Sequence, residues 1–224
     1  MKGSIRLGIA LALFAVGACA SLAVVYAITE ERIAAQDQMA LEASLQDLFP
    51  QGELFEDISA SIASTNPGVT IQSAFLAKQG EASLGLAVKA AGPSYGGQAV
   101  LLVGVGLNRS IAGVRILELN DTAGLGANAK NPGYYVDKVN KVTFPGQFTG
   151  KFITDPFVVK SDVVAITAST ITSTALTTIV KAAADSGALW LENSTLASPA
   201  DVSSATSYSG SAASESAPET TGGN

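Results

Sequence analysis

The sequence of 224 residues contains no histidine and a single cysteine, Cys19. Without histidine, the commonest general base and the commonest metal ligand are missing. One cysteine cannot form an intramolecular disulfide, nor can it supply a multi-cysteine zinc or iron–sulfur site. These absences exclude enzymes of the Ser-His-Asp and Cys-His classes. Redox chemistry in this chain would therefore need a bound organic cofactor.

Charged residues are also scarce, and most of them are acidic. They make up 14% of the chain, with 13 Lys and Arg against 19 Asp and Glu, so the formal net charge is -6. No basic patch is visible in the sequence, and we therefore do not expect nucleic acid as a partner. The length is sufficient for one domain with a substantial core and for additional terminal segments.

A long apolar run without charge or proline occupies residues 7–28. At about 1.5 Å of rise per residue, a helix of this length spans the hydrocarbon core of a bilayer. Lys2 and Arg6 precede the run, whereas Glu30 and Glu31 follow it. Because basic residues stay on the inner side, we expect residues 1–6 in the cytoplasm and the rest of the chain on the extracytoplasmic side of the inner membrane.

Two other interpretations of the N-terminus are a cleaved signal peptide and a lipoprotein, the latter suggested by Val16–Cys19. A signal peptide has a shorter apolar core than this run. Here the apolar residues continue past Cys19 through Tyr26. We therefore predict a retained single-pass transmembrane helix, with lipidation of Cys19 as the minor alternative.

The domain organisation follows from the periodicity of the apolar residues. Helical spacing from Glu30 to Phe49 predicts a helix that continues from the membrane segment. From residue 69 the pattern changes to short strands bounded by Gly, Pro and Asn turns. The predicted strands are Ile71–Lys78, Leu84–Ala90, Ala99–Gly106, Gly113–Leu119 and Phe152–Val159, and a short helix is predicted within Asn131–Val139.

This pattern predicts an α+β fold: a single N-terminal transmembrane helix followed by an exported domain with an antiparallel-rich sheet and packed helices. The expected boundaries are 1–6 for the cytoplasmic N-terminus, 7–28 for the membrane helix, 29–65 for a juxtamembrane helix and connection, 66–193 for the exported domain and 194–224 for a tail. The tail is dominated by Ser, Ala and Thr, a composition typical of disorder.

A hydroxyl-rich turn, Ala165–Ser173, lies between a strand candidate at Phe157–Val159 and a predicted helix, Thr174–Ala184. That helix has apolar residues at spacings of three and four, which predict one buried face; these are Leu176, Ile179, Val180 and Ala183. The start of a helix has unpaired N–H groups and a dipole that favours an anion such as phosphate. Local physics alone favours an ordinary helix cap, since Ser and Thr are usual capping residues.

Three segments of the chain, taken together and in order, resemble one family. Gly92–Gly104 resembles a glycine-tyrosine-glycine turn and the strand after it, and Ile111–Gly126 resembles a strand and a Glu-Thr-Pro-Gly-Leu-Gly loop. Ala165–Ser173 resembles an Asp-x-x-Thr-Gly-Ala-Thr flavin-attachment motif. The family comprises small membrane-anchored flavoprotein subunits of ion-pumping redox complexes. Its members are the G subunit of the Rnf complex and the C subunit of the sodium-pumping NADH:quinone reductase.

The resemblance implies one covalent FMN, joined to Thr170 by a phosphoester bond that a flavin transferase makes. The implied FMN-binding residues are Thr170, Thr167, Ala168, Ser169, Thr172, Tyr95, Gly96, Asp121, Gly124, Leu125 and Gly126. Neither a catalytic residue nor a metal site is implied. The implied role is an electron-transfer subunit of a membrane-bound ferredoxin:NAD⁺ oxidoreductase that pumps ions. Such a subunit has no turnover of its own, and its partners are other membrane, iron–sulfur and flavin subunits.

Three positions depart from the attachment motif of the family: its Asp is Val164, its Gly is Ala168 and its Ala is Ser169. Alanine has less backbone freedom than glycine if the turn needs a positive φ, and loss of the Asp would weaken recognition by the transferase. The alternatives are therefore non-covalent FMN, attachment at Thr172 or Ser173, and a flavin-free envelope interaction module. A C-type subunit of the quinone reductase is the alternative complex, although the loop 121–126 resembles the Rnf branch.

Overall fold

A computed structural model describes residues 2–197, with the backbone alone described for residues 2–5, 34 and 195–197. Over that range the chain forms two α-helices, α1 (Lys2–Leu48) and α2 (Thr170–Ala197), at its two ends. The strands between them are β1 (Leu54–Asp57), β2 (Thr70–Gln79), β3 (Ala82–Ser94), β4 (Gly97–Gly106), β5 (Ile111–Glu118), β6 (Tyr135–Asp137) and β7 (Val142–Thr143). Short 3₁₀ helices lie at Ser59–Ser61, Gly126–Lys130 and Gly146–Phe148.

The centre of the fold is an antiparallel sheet of five strands in the order β1-β2-β3-β4-β5. β3 and β4 pair from Gly85 opposite Gly106 to Ser94 opposite Gly97. Both strands are buried over most of their length. Since each face of the sheet is covered, these strands appear in the sequence as nearly continuous apolar runs instead of alternating ones.

Helix α2 covers one face of the sheet through the apolar stripe that the sequence predicted. Leu176, Ile179, Val180 and Ala183 are all buried in the larger core of the domain. From the sheet, that core receives alternate residues of β3 and β4, namely Leu86, Val88, Val103 and Val105. Packing on β3 and β4 thereby fixes the position of α2 on the sheet.

The end of helix α1 covers the opposite face. Leu45, Leu48 and Phe49 pack in a second apolar cluster with Ala87 and Leu102 of the central strands. In the described part of the chain, α1 is also the one helix long and apolar enough to cross a membrane. The prediction of a helix that continues from the apolar run to Phe49 therefore agrees with the structure, and the same helix contributes to the domain core.

The segment predicted as the strand Phe152–Val159 forms turns and loop instead, so that prediction was wrong. It contributes isolated bridges, Ser110 with Phe152 and Val159 with Val163. The reason is the carboxylate of Asp162, which accepts hydrogen bonds from the backbone N–H groups of Phe157 at 3.1 Å and Val158 at 2.6 Å. These side-chain bonds take the place of a strand ladder.

The short helix predicted within Asn131–Val139 is also absent, because this stretch contains strand β6 instead. β6 pairs with β7 in a small hairpin. Asp137 accepts hydrogen bonds from the N–H groups of Val139 and Asn140 and so closes the turn between the two strands. Tyr135 and Val136 have side chains that favour strands over helices.

Two features lie across the domain boundaries expected from the sequence. β1 occupies Leu54–Asp57, within the segment expected to be a connection, and is an edge strand of the sheet. α2 continues to Ala197, past the expected start of the tail at residue 194. The remainder of the predicted tail, residues 198–224, lies outside the described residues.

Candidate functional site

The hydroxyl-rich turn leads directly into α2, which begins at Thr170, four residues before the predicted start. Ser173 closes the turn from within the helix. The backbone N–H of Ile166 donates to Ser173 Oγ at 2.9 Å, and Ser173 Oγ donates to the carbonyl of Ser169 at 2.8 Å. The loop 165–169 is thus fixed to the first helical turn by a buried side chain.

Ala168 has a φ of +59°, in the left-handed region of backbone conformation. This turn therefore requires the conformation that glycine adopts without cost and that an L-residue with a Cβ adopts at a cost of about 1–2 kcal/mol. The sequence departs from the family motif at this position, where the motif has Gly. In this chain alanine adopts the left-handed conformation at that position, with backbone strain as the consequence.

A pocket of about 590 Å³ opens in front of the start of α2, a size that suits a small-molecule ligand. Three segments that are distant in sequence line it, through Tyr95, Thr122, Leu125, Gly126, Ala168, Ser169, Thr170, Ile171 and Thr172. Each of the three resemblance segments therefore contributes to one pocket. Thr122 and Ile171 line the pocket but were not among the predicted binding residues. Each is adjacent in sequence to a predicted residue, Asp121 or Thr170, and this adjacency is the signal by which the sequence could have identified them.

Four predicted binding residues lie in the same segments without lining this pocket: Thr167, Gly96, Asp121 and Gly124. Gly124 has a φ of +78° in the loop that approaches the pocket. Gly96 lies so close to the end of β5 that a Cβ there would be 2.2 Å from the carbonyl oxygen of Asn120. These two glycines therefore shape the loops, one through its backbone conformation and one through close approach.

Asp121 connects all three segments behind the pocket wall. Its carboxylate accepts hydrogen bonds from Ser94 Oγ at 2.9 Å, the backbone N–H of Gly96 at 2.7 Å and Thr172 Oγ1 at 2.5 Å. The side chain is buried. Gly126 leaves room for this arrangement, since a Cβ there would lie 2.5 Å from Thr172 Oγ1. The sequence did not indicate that the carboxylate of Asp121 joins these three segments by hydrogen bonds.

The three hydroxyl groups in the first turn of α2 have different environments. Thr172 and Ser173 are buried, and their hydroxyls are used in the bonds to Asp121 and Ser169. Thr170 is exposed at the pocket, and its hydroxyl has no hydrogen-bond partner among the described residues. Of these three hydroxyls, that of Thr170 is accessible for bond formation without breaking a contact of the fold.

Ile166 of the turn belongs to the same core cluster as three aromatic rings, and a polar contact reaches the backbone of the turn. Phe148 contacts Phe144 edge-on, with ring centroids 5.6 Å apart, and stacks on Phe157 at 6.0 Å. The N–H of Thr167 donates to the Tyr134 hydroxyl at 3.2 Å. Tyr134 itself packs against the core of the domain. The hydrogen bond to Tyr134 and the burial of Ile166 therefore tie the turn to the core of the domain.

Asp162 lies two residues before the position at which the family motif has Asp, but the structure gives it a different task. Besides its two bonds to backbone N–H groups, it pairs with Lys151 Nζ at 3.1 Å. Burial opposes ionisation, but the backbone hydrogen bond from Val158 and the contact with Lys151 together lower the pKa of Asp162 below its usual value. Asp162 therefore organises the loop 157–163, and Val164 remains as an exposed residue at the motif position.

Comparisons with known proteins match both ends of the described chain. Residues 1–48 match the family model of the RnfG N-terminal region, and residues 94–185 match that of the FMN-binding domain. A relative from Yersinia pestis, named as the G subunit of an ion-translocating oxidoreductase complex, is 33% identical over 131 residues, which cover 56% of this chain and 63% of the relative.

Two further relatives carry similar names. The G subunit of an ion-translocating oxidoreductase complex from Aliivibrio fischeri MJ11 is 32% identical over 52% of this chain and 58% of its own length. The G subunit of a Na⁺-translocating ferredoxin:NAD⁺ oxidoreductase complex from Acetobacterium woodii is 28% identical over 77% of this chain and 86% of its own length. The chain thus spans less than two thirds of the length of the Yersinia and Aliivibrio relatives.

The fold, the pocket and the matched domain define a class of protein: an FMN-binding domain carried by one helix that is long and apolar enough to cross a membrane. The matched N-terminal region and the relatives named as G subunits narrow this class further. By these matches the chain resembles proteins of the RnfG family.

Proposed function

We propose that this chain is an electron-transfer subunit of an ion-pumping ferredoxin:NAD⁺ oxidoreductase of the Rnf type, with FMN joined to Thr170 by a phosphoester bond. The observation that carries the proposal is the convergence of three separate segments on the pocket at the start of α2. Within the first turn of that helix, the Thr170 hydroxyl is the one that is exposed and has no hydrogen-bond partner among the described residues.

The residues at the pocket fit the two parts of FMN. The start of α2 supplies N–H groups and a favourable dipole for a phosphate bonded to the Thr170 side chain. Tyr95, Leu125 and Ile171 expose apolar surface at the pocket, which suits a planar aromatic ring. FMN supplies the electron chemistry when bound, so the chain needs to contribute only binding and orientation.

The absence of cationic side chains from the pocket favours a covalent bond. None of the described residues that line it is Lys or Arg, the two side chains that usually hold a phosphate by ion pairing. A phosphate at this position would therefore rely on backbone N–H groups and on hydroxyls such as that of Thr122, without an ion pair, unless it is covalently attached. The lack of ion pairing favours the phosphoester at Thr170 over non-covalent FMN, and a flavin transferase is the expected maturation partner.

The assembly and membrane topology form part of the same proposal. The relatives are named as G subunits of oxidoreductase complexes, and the expected partners of this chain are the membrane, iron–sulfur and flavin subunits of such a complex. Lys2 and Arg6 before the apolar run and Glu30 and Glu31 after it favour a cytoplasmic N-terminus. The FMN-binding domain then lies on the extracytoplasmic side of the inner membrane. A subunit with this role should show no turnover in isolation.

The decisive experiment is mass spectrometry of the full chain purified from its native membranes under denaturing conditions. We expect the mass of the chain to be increased by one FMN less one water. Tryptic digestion should place this increase on the peptide 161–181, which contains Thr170 and has no internal Lys or Arg. Fragmentation of the peptide then separates Thr170 from Thr172 and Ser173. An unmodified chain would contradict covalent attachment, and flavin released on denaturation would indicate non-covalent FMN.

A further inference from the structure

The carboxylate of Asp121 accepts three hydrogen bonds but forms no ion pair with a Lys or Arg side chain among the described residues. Its carboxylate accepts from Ser94, Gly96 and Thr172, and its exposed fraction is 9%. In the described part of the chain, none of the Lys or Arg side chains forms an ion pair with it. Burial of a carboxylate is costly unless hydrogen bonds compensate. The fold therefore retains this group at a position where an apolar residue would avoid the cost of desolvation.

The carboxylate lies directly behind the wall of the pocket. Thr172 and Gly126 line the pocket, and both are in immediate contact with Asp121. Thr172 Oγ1 is 2.5 Å from Asp121 Oδ2, and a Cβ at Gly126 would be 2.7 Å from the same oxygen. Only one side chain or one glycine backbone therefore separates the carboxylate from a ligand in the pocket.

We propose that Asp121 is a positioning residue for the flavin: its carboxylate joins the three pocket segments, and its negative charge lowers the reduction potential of the bound flavin. This inference rests on the proposed function, since it requires flavin in the pocket. Reduction adds electrons to the ring, and a nearby fixed negative charge makes that addition less favourable. Because the carboxylate is buried, solvent and salt screen its charge less than they would screen an exposed one.

Three variants separate the charge of Asp121 from its hydrogen bonds. Asp121→Asn removes the charge but retains the shape, and its amide can still bond to the Gly96 N–H and to the two hydroxyls, which are able to accept as well as donate. Ser94→Ala retains the charge and removes one hydrogen bond to the carboxylate, at a residue that does not line the pocket. Asp57→Asn is the control, because Asp57 lies on the edge strand β1 and Asp121 follows the other edge strand, β5. With strands about 4.8 Å apart, these two edge strands are separated by about 19 Å.

The experiment is a spectroelectrochemical titration of the flavin in the full chain, purified in detergent with its flavin attached. We expect a more positive midpoint potential for Asp121→Asn than for the wild type, and wild-type values for Ser94→Ala and Asp57→Asn. An equal shift in Asp121→Asn and Ser94→Ala would overturn the proposed effect of the charge. An unchanged potential in Asp121→Asn would overturn the proposal, whereas a wild-type chain without flavin would overturn the proposed function itself.

A second measurement tests the positioning role without using the flavin. Hydrogen exchange of the segment 94–97 should become faster in Asp121→Ala than in the wild type, in flavin-free full-length protein, because the Gly96 N–H loses its acceptor. Unchanged exchange would contradict the joining of the segments by Asp121. If Asp121→Asn does not load flavin, Asp121→Glu replaces it in the titration. It keeps the charge, so a wild-type-like potential is expected and a raised one would overturn the proposal.

Discussion

The ring of Phe49, just beyond the end of α1, lies directly against Gly85 of β3. A Cβ at Gly85 would be 2.9 Å from Phe49 Cε1 and 2.4 Å from the carbonyl oxygen of Val105. Gly85 therefore provides the space that the aromatic ring occupies on the sheet. Because α1 also carries the apolar run, this contact fixes the orientation of that helix relative to the FMN-binding domain.

Phe49→Ala should lower the free energy of unfolding of the domain by about 3–5 kcal/mol, as expected for truncation of a buried aromatic side chain. The exposed fraction of Phe49 is 7%, whereas that of Met39 on the same helix is 61%. Met39→Ala is therefore the control, with an expected change within about 0.5 kcal/mol. Chemical denaturation of the full chain in detergent measures both values. Similar changes for the two variants would contradict packing of Phe49 on the sheet.

Thr170→Val should abolish covalent flavin, because valine retains the shape of threonine and lacks the hydroxyl that forms the ester. The measurement is flavin fluorescence of the denatured protein in a gel. Thr174→Val is the matched control, since Thr174 is an exposed threonine one turn further along α2, and it should remain fluorescent. Fluorescence that persists in denatured Thr170→Val would show that the flavin is attached elsewhere.

Ala168→Gly should stabilise the protein by up to about 1 kcal/mol, because glycine removes the strain of the positive φ at a smaller entropic cost. Within a helix, replacement of alanine by glycine changes the free energy of unfolding in the opposite direction. Ala175→Gly in α2 should therefore destabilise the protein by about 1 kcal/mol. Thermal unfolding of the two variants provides the comparison. Destabilisation of Ala168→Gly comparable to that of Ala175→Gly would argue against strain at this turn.

Asp162→Asn should destabilise the loop before α2 by about 1–2 kcal/mol at neutral pH, since hydrogen bonds and an ion pair to a charged acceptor are lost. The pKa of Asp162 is lowered in the folded protein. A carboxylate with a lowered folded pKa stabilises above its unfolded pKa, and this contribution disappears as pH falls through the folded value. The difference between wild type and variant should therefore shrink below about pH 4.

Denaturation at several pH values measures this dependence. Asp37→Asn, a change at an exposed residue of α1, is the control. A stability difference between wild type and Asp162→Asn that stays constant from neutral pH to about pH 3 would contradict a contribution from the ionised carboxylate.

The predictions made from sequence succeeded where the pattern was local and long. The apolar run and the helical spacing after it identified α1, and four strand segments coincide with β2, β3, β4 and β5. The apolar stripe of α2 was also identified, because burial of one helix face imposes a period on the sequence. The predictions failed for Phe152–Val159 and Asn131–Val139, where the carboxylates of Asp162 and Asp137 accept hydrogen bonds from backbone N–H groups and so decide the backbone conformation.

By itself the sequence determined the class of the fold, the helix able to cross a membrane and the three motifs that point to FMN. Each of these features is recognised from neighbouring residues or from a motif, and it can therefore be predicted without knowledge of long-range contacts. Only the tertiary structure decided that Thr172 and Ser173 are buried while Thr170 is exposed, and that Ala168 has a positive φ. It alone revealed Asp121 joining residues 94–96 to α2, because hydrogen bonds between residues far apart in sequence depend on how the sheet and helix pack.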